Sequence, residues 1–423
     1  MSFAEQVLGI EDTSFLGSLN VQIVLLVSMV SSMGSIASPT LPAMSSALGV
    51  PEARIGLVFT AFTLPAIFAL PLIGVVGDVS GRRILVIPGL VLFGAAGLSV
   101  GLVDDFTAIL VLRGLQGIGY TAFNSLTVAL LGDLLTGSEE SAAQGVRVLL
   151  NKGTGFVGPT VGGVLAGIAW NFPYFLYAIA IPAGILVYLR YEDEKDTDER
   201  QGEPAANGGQ SDSSRRTVRE YGDEILQLVR DPFIAAILAG GFFRMFLKYT
   251  LYTFLALAVV NQYGGGQGYA GFLVGLYSLI GAAIATQSAR FTDSLGHSYA
   301  LVVGFLFGSV AFVLFPLAGG VAALTGLVLF HGIGEGIINP VHKSIMSQSV
   351  MKDVRVGLVA TNAIVQNVAK TITPLVLSPV LIFFPAKAYD VLFLLTGGVT
   401  LVVTIVALSA LVLSGGSPRR LST

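Results

Sequence analysis

The chain has 423 residues, of which 53% are hydrophobic and only 12% charged, with a net charge of -3. Because a typical soluble domain carries about 25% charged residues, this composition argues against a water-soluble globular protein. A helix needs about 20 residues to cross a bilayer, so the length allows about a dozen crossings and no large soluble domain. The absence of cysteine excludes disulfides, thiolate metal sites and cysteine nucleophiles.

Twelve apolar runs predict an all-α polytopic membrane protein whose transmembrane helices form a bundle. The runs lack the two-residue alternation of barrel strands, and the 52 glycines suit helices that approach one another closely. The N-terminal segment lacks the basic stretch of a cleaved signal peptide, so we expect the first run to be a retained helix. The runs fall at residues 18–40, 54–77, 84–103, 107–131, 142–168, 172–190, 232–261, 267–289, 298–317, 321–346, 356–384 and 387–414.

A polar gap divides the runs into six and six. Residues 191–231 are first acidic and then rich in glycine and serine, a composition that predicts a flexible cytoplasmic linker. The linker would join an N-terminal six-helix bundle at 1–190 to a C-terminal one at 232–423. Because arginine and lysine concentrate in the loops on the linker's side, we expect both termini in the cytoplasm and the chain in the cell (plasma) membrane.

The two halves share a repeat at a fixed offset of 215 residues. Glycine is common enough to match by chance, but matches of aspartate, asparagine and proline are harder to dismiss. Two halves of like topology are typical of transporters whose substrate site lies at the seam near the bilayer midplane. The matched pairs are Gly56 with Gly271, Asp78 with Asp293, Gly81 with Gly296, Gly89 with Gly304, Gly117 with Gly332, Gly119 with Gly334, Asn124 with Asn339, and Pro159 with Pro374.

The stretch between the second and third runs carries a carboxylate, glycines and two arginines. Such residues predict a short, tightly turned loop at the cytoplasmic surface. The stretch resembles the loop between helices two and three of major facilitator transporters, although Val79 stands where that family usually has an arginine. Its main positions are filled by Gly74, Asp78, Gly81, Arg82 and Arg83.

This resemblance implies a twelve-helix major facilitator fold, in which two domains rock around a central cavity. It also implies a conformational latch at the cytoplasmic surface, released as the domains tilt. The latch would comprise the loop residues just named together with Asp293 and Gly296 of the second half.

An arginine interrupts the fourth run, where Arg113 precedes Gly117 and Gly119. Burying it costs about 2.5 kcal/mol or more, so we expect Arg113 to face an interior, a partner or water, unless it reaches the outer interface near Asp104 and Asp105. The pattern resembles the fourth-helix motif of the same family, and the resemblance implies a role in proton coupling.

The fifth run contains a proline flanked by glycines, at Gly158, Pro159, Gly162 and Gly163. Proline removes a backbone hydrogen bond and the glycines permit bending and close packing, so the run on its own predicts a packing kink. It resembles the motif of the drug:proton antiporter branch of the family, and this resemblance favours export.

Polar residues at helical spacing mark candidates for a substrate cavity. In the first run, Ser31 and Ser35 belong to a serine face that could line a cavity or simply permit close packing. Gln116, Asn124 and Asn339 are further cavity candidates.

The second half carries unusual charges within its apolar runs. Arg244 and Lys248 lie one helical turn apart and repel each other, so they require a counter-charge or solvent. Glu335 is the one acidic residue placed well inside a run, and it lies one turn from His331. A coupling group needs a titratable carboxylate or imidazole, so Glu335 and His331 join Arg113 as proton-coupling candidates. The alternative is a static ion pair that fixes helix packing.

Two further cations, Lys152 and Lys370, make the predicted interior positive. A water-filled cavity of that sign would attract anions. Alternatively, both lysines reach cytoplasmic water and leave the cavity unaffected.

Together these observations predict a secondary active transporter and no enzyme, because the sequence has neither a catalytic triad nor a phosphate-binding loop. The primary hypothesis is proton-coupled export of a small organic compound by alternating access. The alternative is uptake or exchange of a small organic anion. We expect a monomer in the lipid bilayer that handles a small-molecule substrate and protons or another coupling ion, with no cofactor, metal or nucleic acid.

Overall fold

The structure, a computed structural model, describes residues 14–80, 83–190, 230, 232–348 and 352–413. These residues form twelve long helices and no strand. In chain order the helices are α1 (Leu19–Leu48), α2 (Leu57–Ser80), α3 (Arg83–Val100), α4 (Phe106–Leu134), α5 (Gly137–Ile168), α6 (Phe172–Arg190), α7 (Pro232–Asn261), α8 (Gln267–Ala285), α9 (His297–Val313), α10 (Val321–Gln348), α11 (Lys352–Phe383) and α12 (Ala388–Leu413).

Helix α1 is longer than the predicted run 18–40 because a 3₁₀ segment continues it. The α-helical turns end at Ser31, Ser32–Thr40 is 3₁₀, and Leu41–Leu48 is again α-helical. Pro39 lies in the 3₁₀ segment and cannot donate a backbone hydrogen bond, which suits a local change of helix type. Gly49 then ends the helix with φ of 63°, a conformation that favours glycine.

The loop predicted for residues 74–83 is wrong in extent, because α2 runs to Ser80 and α3 begins at Arg83. Continuing the helix satisfies backbone hydrogen bonds that a longer loop would leave open at the membrane surface.

Most of the predicted latch cannot be tested. Gly81 and Arg82, and the side chains of Asp78 and Arg83, lie outside the described residues. In the second half, Asp293 is exposed on the short helix Ser288–Leu295, and Gly296 follows with φ of 78°. The latch therefore stays a prediction.

Helix α5 differs from the other helices in composition. Nine described helices are long and apolar enough to cross a membrane, and α3 and α9 are apolar but shorter. Helix α5 has 32 residues and is too polar to be counted with either group, since it carries Glu139, Glu140, Arg147 and Lys152. Its polar side chains require neighbouring protein or water.

The packing between the two halves repeats with the 215-residue offset. Where α2 meets α11, a methyl group placed on Gly56 would lie 3.1 Å from Pro374 Cβ. Where α8 meets α5, a methyl group on the equivalent Gly271 would meet the carbonyl oxygen of the equivalent Pro159 and lie 3.0 Å from the Cα of Gly163. The two seams are therefore built alike.

The packing inside each half repeats in the same way. A methyl group on Gly119 of α4 would lie 2.6 Å from the carbonyl oxygen of Gly89 in α3. One on Gly334 of α10 would lie 2.6 Å from the carbonyl oxygen of Gly304 in α9. These distances require glycine, because a Cβ atom does not come so close to backbone atoms. The all-α fold with a repeated helical half confirms the predicted fold class. The domain boundaries at 190 and 232 stay a prediction, since residues 191–229 and 231 are not described.

The halves are joined at one end of the bundle. We call the end with the turns after α1, α3, α5, α7, α9 and α11 the outer end, and the opposite end the inner end. Five hydrogen-bonded pairs between described residues join the two halves toward the outer end, and α4 and α10 do not pack extensively on each other. The bonded pairs are Ser38 with Tyr252, Thr60 and Thr63 with Thr371, and Glu52 with Asn261 and Tyr389.

Candidate functional site

A buried ion pair between α7 and α10 forms the centre of the candidate site. Arg244 Nη1 donates to Glu335 Oε1 at 2.8 Å, and the two side chains are only 8% and 4% exposed. Arg244 Nη2 also donates to Gln366 Oε1 of α11 at 3.3 Å. The sequence left Arg244 and Lys248 open as partners of Glu335, and Arg244 is the partner in the structure.

His331 is held one turn from Glu335 by aromatic side chains. Its ring stacks on Tyr277 at 5.0 Å and lies 4.6 Å from the ring of Phe312. Its Nδ1 is 3.3 Å from the carbonyl oxygen of Gly308, and its Nε2 has no partner among the described residues. The structure therefore places His331 beside the ion pair without a hydrogen bond to it.

Three lysines surround the ion pair without forming one of their own among the described residues. Lys248 Nζ lies 5.3 Å from the centre of the Tyr252 ring, and Lys370 Nζ donates to Asn367 Oδ1 at 2.9 Å. The third, Lys152, is half-buried on α5. The charges of Lys152 and Lys248 act on Glu335, and those of Lys248 and Arg244 on Lys370. The interior charge is therefore positive and is drawn from both halves.

An aromatic wall connects this charged region to the N-terminal half. The ring of Phe59 in α2 meets Tyr249 of α7 at 5.9 Å. Tyr249 meets Tyr252 at 5.8 Å, and Tyr252 meets Tyr277 of α8 at 6.2 Å. Rings of this kind suit an apolar or aromatic small molecule.

Arg113 is fully buried in the N-terminal half and has no carboxylate partner among the described residues. Its Nη1 donates to Gln116 Oε1 at 2.6 Å, its Nε donates to Val58 O at 3.3 Å, and its guanidinium lies 4.5 Å from the centre of the Phe62 ring. The alternative in which Arg113 reaches the outer interface is wrong. Because Gln116 is also fully buried and bonded to Arg113, it is not available as the cavity residue that the sequence predicted.

The glycines of the fifth-helix motif lie at the seam. Gly158 and Gly162 pack on Ile36 of α1, while Gly163 packs on Gly271 of α8. Their packing holds α5 against the 3₁₀ segment of α1 and the outer half of α8.

The remaining cavity candidates are less well supported by their surroundings. Ser31 and Ser35 are buried and donate to Ser28 O and Ser32 O of their own helix, which favours the packing interpretation, and their place in a cavity stays a prediction. The reason is that a buried hydroxyl in a helix is readily satisfied by the preceding turn. Asn124 and Asn339 are half-buried at equivalent positions.

A polar contact at the outer end was not predicted from the sequence. Tyr389 OH donates a short hydrogen bond to Glu52 Oε2, and Asn261 Nδ2 donates to Glu52 Oε1 at 2.7 Å. No local pattern marks it, because its three members come from the turn after α1 and from the ends of α7 and α12. Among the described residues, no group of three or more histidine, aspartate or glutamate side chains is arranged to hold a metal ion.

A comparison with protein families finds a match to the Major Facilitator Superfamily at residues 23–249 and again at 237–422. Together the two matches cover nearly the whole chain.

Curated relatives are similar over part of the chain. The chain is 31% identical over 131 residues to the multidrug transporter protein MdtP of Bacillus subtilis (strain 168), covering 31% of this chain and 24% of that protein. It is 29% identical over 143 residues to the bacillibactin exporter of the same organism, covering 32% of this chain and 36% of that protein. It is 25% identical over 159 residues to the quinolone resistance protein NorA of Staphylococcus aureus (strain N315), covering 37% of this chain and 41% of that protein. The similarity thus spans less than half the length of each relative.

Solved structures share the fold over almost the entire chain. The D-xylose-proton symporter superimposes with a TM-score of 0.72 at 12% identity, covering 92% of this chain and 96% of that one. A bacterial homologue of the human lysosomal transporter Spinster, in an inward-facing and unoccupied conformation, superimposes with a TM-score of 0.69 at 14% identity. The superposition covers 93% of this chain and 96% of that one. At these identities the likeness concerns the fold alone.

Proposed function

The chain belongs to the Major Facilitator Superfamily, and on that premise we propose that it exports a small organic compound, coupled to protons, by alternating access. Membership makes it a multi-pass membrane transporter of small molecules and not an enzyme. We further propose that it acts as a monomer in the plasma membrane, with its inner end and both termini in the cytoplasm. The basic residues of the even-to-odd loops support this orientation.

The contacts between the halves support alternating access. The hydrogen bonds between the halves at Ser38, Thr60 and Glu52 lie toward the outer end, which supports an inward-open state. Opening to the outside would separate α2 from α11 and α5 from α8 near Gly56 and Gly271. The repeated construction of the two seams would let each half tilt as a unit.

The observation that carries the proposal is the buried Arg244–Glu335 pair. While Glu335 is ionised, its attraction to Arg244 ties α7 to α10. When Glu335 takes up a proton, that attraction is lost and the buried guanidinium must find another partner. Proton binding would therefore change how α7 packs on α10 inside the C-terminal half, and coupling requires such a change in packing.

The direction of transport is supported by the relatives and by the glycine-proline motif. Three relatives carry names that denote drug transport, export or drug resistance. A neutral or cationic cargo bound near Glu335 would compete with a proton for this carboxylate, since binding of either one would weaken binding of the other. Competition of this kind produces exchange of cargo for protons.

Uptake or exchange of an organic anion is the second candidate, and the lysines that surround the ion pair favour it. Lys152, Lys248 and Lys370 lack carboxylate partners among the described residues. An anion bound among them would favour a protonated Glu335 beside it, so anion and proton would bind together. The two candidates therefore predict opposite effects of acid on cargo binding.

Reconstituted vesicles provide the test of the primary proposal. We expect ethidium, as a cationic probe, to move against its gradient when a pH gradient is imposed, and to bind less tightly as the pH falls. Glu335→Gln should bind ethidium at high pH as weakly as the unaltered chain does at low pH, and should lose the response to the pH gradient. The matched control is Asp104→Asn, which makes the same chemical change at an exposed outer turn. An unchanged pH response in Glu335→Gln would contradict the proposal.

Benzoate counterflow tests the second candidate in the same vesicles. If the cargo is an anion, counterflow should accelerate on acidification and be lost in Lys248→Gln. Lys387→Gln, at the exposed outer end, is the control. Absence of benzoate counterflow together with pH-driven ethidium movement would favour export over uptake or exchange of an organic anion.

A further inference from the structure

We propose that Glu52 is a second proton-binding site, at the outer end, and that its protonation releases the contact that holds this end closed. The proposal goes beyond the cavity carboxylate but rests on the proposed alternating access. It concerns the carboxylate through which the two halves contact each other at the outer end.

The geometry makes Glu52 the centre of the contact. One carboxylate oxygen accepts from Tyr389 of α12 and the other from Asn261 of α7 at 2.7 Å. Asn261 Nδ2 is also 3.4 Å from the Tyr389 hydroxyl. Glu52 belongs to the N-terminal half, whereas both donors belong to the C-terminal half. A single carboxylate therefore bridges the halves.

The ionised form of Glu52 is the one that fits its partners. Both partner groups donate, and an ionised carboxylate accepts on both oxygens. Protonation turns one oxygen into a donor and weakens both bonds, because hydrogen bonds to a charged acceptor are roughly twice as strong as neutral ones. The contact would then hold the halves together less firmly.

Glu52 is accessible to protons from outside. It is half-buried, and Asn261 beside it is exposed, so water reaches the contact. Glu335, by contrast, is only 4% exposed and is paired with Arg244. Of these two carboxylates, Glu52 is therefore the one that outside water reaches.

Few other charged groups lie near Glu52. The adjoining segments Leu41–Leu48 and 374–383 contain no titratable residue. Arg54 on the same short helix is exposed, and Lys387 at the start of α12 is also exposed. Asp390 accepts from Gln262 at 2.8 Å.

A second phenol near this turn, besides the Tyr389 hydroxyl, does not titrate in the working range. Burial, with a smaller contribution from Asp390, raises the pKa of Tyr263 to about 12. Tyr263 therefore stays protonated between pH 3.5 and pH 7. A pH effect at the outer end in this range is then assigned to a carboxylate, and mutation separates Glu52 from Asp390.

Because the chain has no cysteine, distances can be measured between spin labels on introduced cysteines alone. We would label Leu102→Cys and Leu317→Cys, exposed outer-end positions in the two halves, in the purified full chain in detergent. On lowering the pH from 7 to 3.5, into the range in which glutamate side chains take up protons, we expect the fraction with a long outer distance to rise about three- to fivefold. A distance distribution that does not change with pH would overturn the proposal.

Variants assign the effect to Glu52. In Glu52→Gln the long distance should be populated about equally at pH 7 and pH 3.5, whereas the Asp390→Asn control should keep the response. Tyr389→Phe, a milder change, should raise the open fraction at pH 7 while retaining a smaller pH response. A full response in Glu52→Gln, or its loss in Asp390→Asn, would overturn the assignment.

The background Glu335→Gln separates this proposal from proton coupling in the cavity. The outer distance should still respond to pH in that background if Glu52 is the responsible group. Loss of the response there would overturn the Glu52 site while leaving the cavity mechanism intact.

Discussion

Helices α4 and α10 occupy equivalent positions in the two halves, and their backbones pack alike while their buried polar groups differ. The 215-residue offset maps Gln116 onto His331 and Tyr120 onto Glu335. Helix α4 therefore buries an arginine held by an amide, a carbonyl and a ring, whereas α10 buries a carboxylate held by an arginine.

This difference separates what the repeat preserves from what it does not. The glycines that bring α3 against α4 also bring α9 against α10, at the same distance of 2.6 Å. Of the buried groups just named, only the carboxylate of α10 can take up and release a proton, since arginine does not deprotonate in proteins. We infer that the buried proton site lies in the C-terminal half, whereas the site proposed at Glu52 in the N-terminal half lies at the outer end.

The largest effect should come from breaking the charge pair of the C-terminal half. Arg244→Gln leaves Glu335 buried without its partner, and loss of one partner of a buried pair costs about 3–5 kcal/mol. We expect a lower thermal unfolding midpoint in detergent and no transport. The double variant Arg244→Gln/Glu335→Gln should recover most of the midpoint without recovering coupling. A double variant as unstable as the single one would show that the pair does not act as a unit.

Adding a methyl group at the equivalent glycines should have an intermediate and nearly equal effect in the two halves. Gly119→Ala and Gly334→Ala each push a Cβ against a backbone carbonyl, and overpacking costs about 1–3 kcal/mol. Gly167→Ala and Gly326→Ala are matched controls with open space around them. The thermal unfolding midpoints of both test variants should lie well below those of their controls. A large effect in one half only would mean that the halves do not pack alike.

Arg113→Gln should reduce stability by about 1–3 kcal/mol, because Gln116 loses the partner that satisfies its buried oxygen. The number of protons moved per cargo molecule should not change. Vesicle measurements of proton and ethidium flux at several pH gradients give that ratio. A changed ratio would assign α4 a direct part in coupling and remove the contrast with α10.

The smallest effect is expected for His331→Gln, which gives α10 the residue found at the equivalent position of α4. The loss of stacking on Tyr277 should cost about 0.5–1.5 kcal/mol. Because His331 makes no hydrogen bond to Glu335, the pH profile of transport should keep its midpoint within about 0.3 pH units, a twofold change in proton affinity. A larger displacement would place His331 on the proton path.

Much of the fold was predictable because membrane spans depend on local composition. Eleven of the twelve helices correspond closely to the predicted runs, and the offset correctly identified the glycines that pack alike. Helix α1 extends further because the sequence did not reveal that a 3₁₀ segment through Pro39 would carry the chain onward to Leu48.

The site was less predictable because its geometry depends on how helices rotate against one another. The sequence offered Arg244 and Lys248 as equal partners for Glu335, and only packing decided between them. It could not foresee that Ser31 and Ser35 bond to their own helix, since the same serine face suits a cavity and a tight interface. The contact at Glu52 joins residues more than 200 positions apart, which no single-sequence pattern reports.

The polarity of α5 bears on how the protein enters the membrane during synthesis. A translocon releases segments into lipid according to their hydrophobicity, and each central charged residue opposes release by about 2.5–3.5 kcal/mol. Because α5 packs along α8, and the charged groups that act on Lys152 come from α7 and α10, α5 should be retained beside the translocon until those later helices emerge. Integration of this segment would then be a late, cooperative event in biogenesis, not a sequential one.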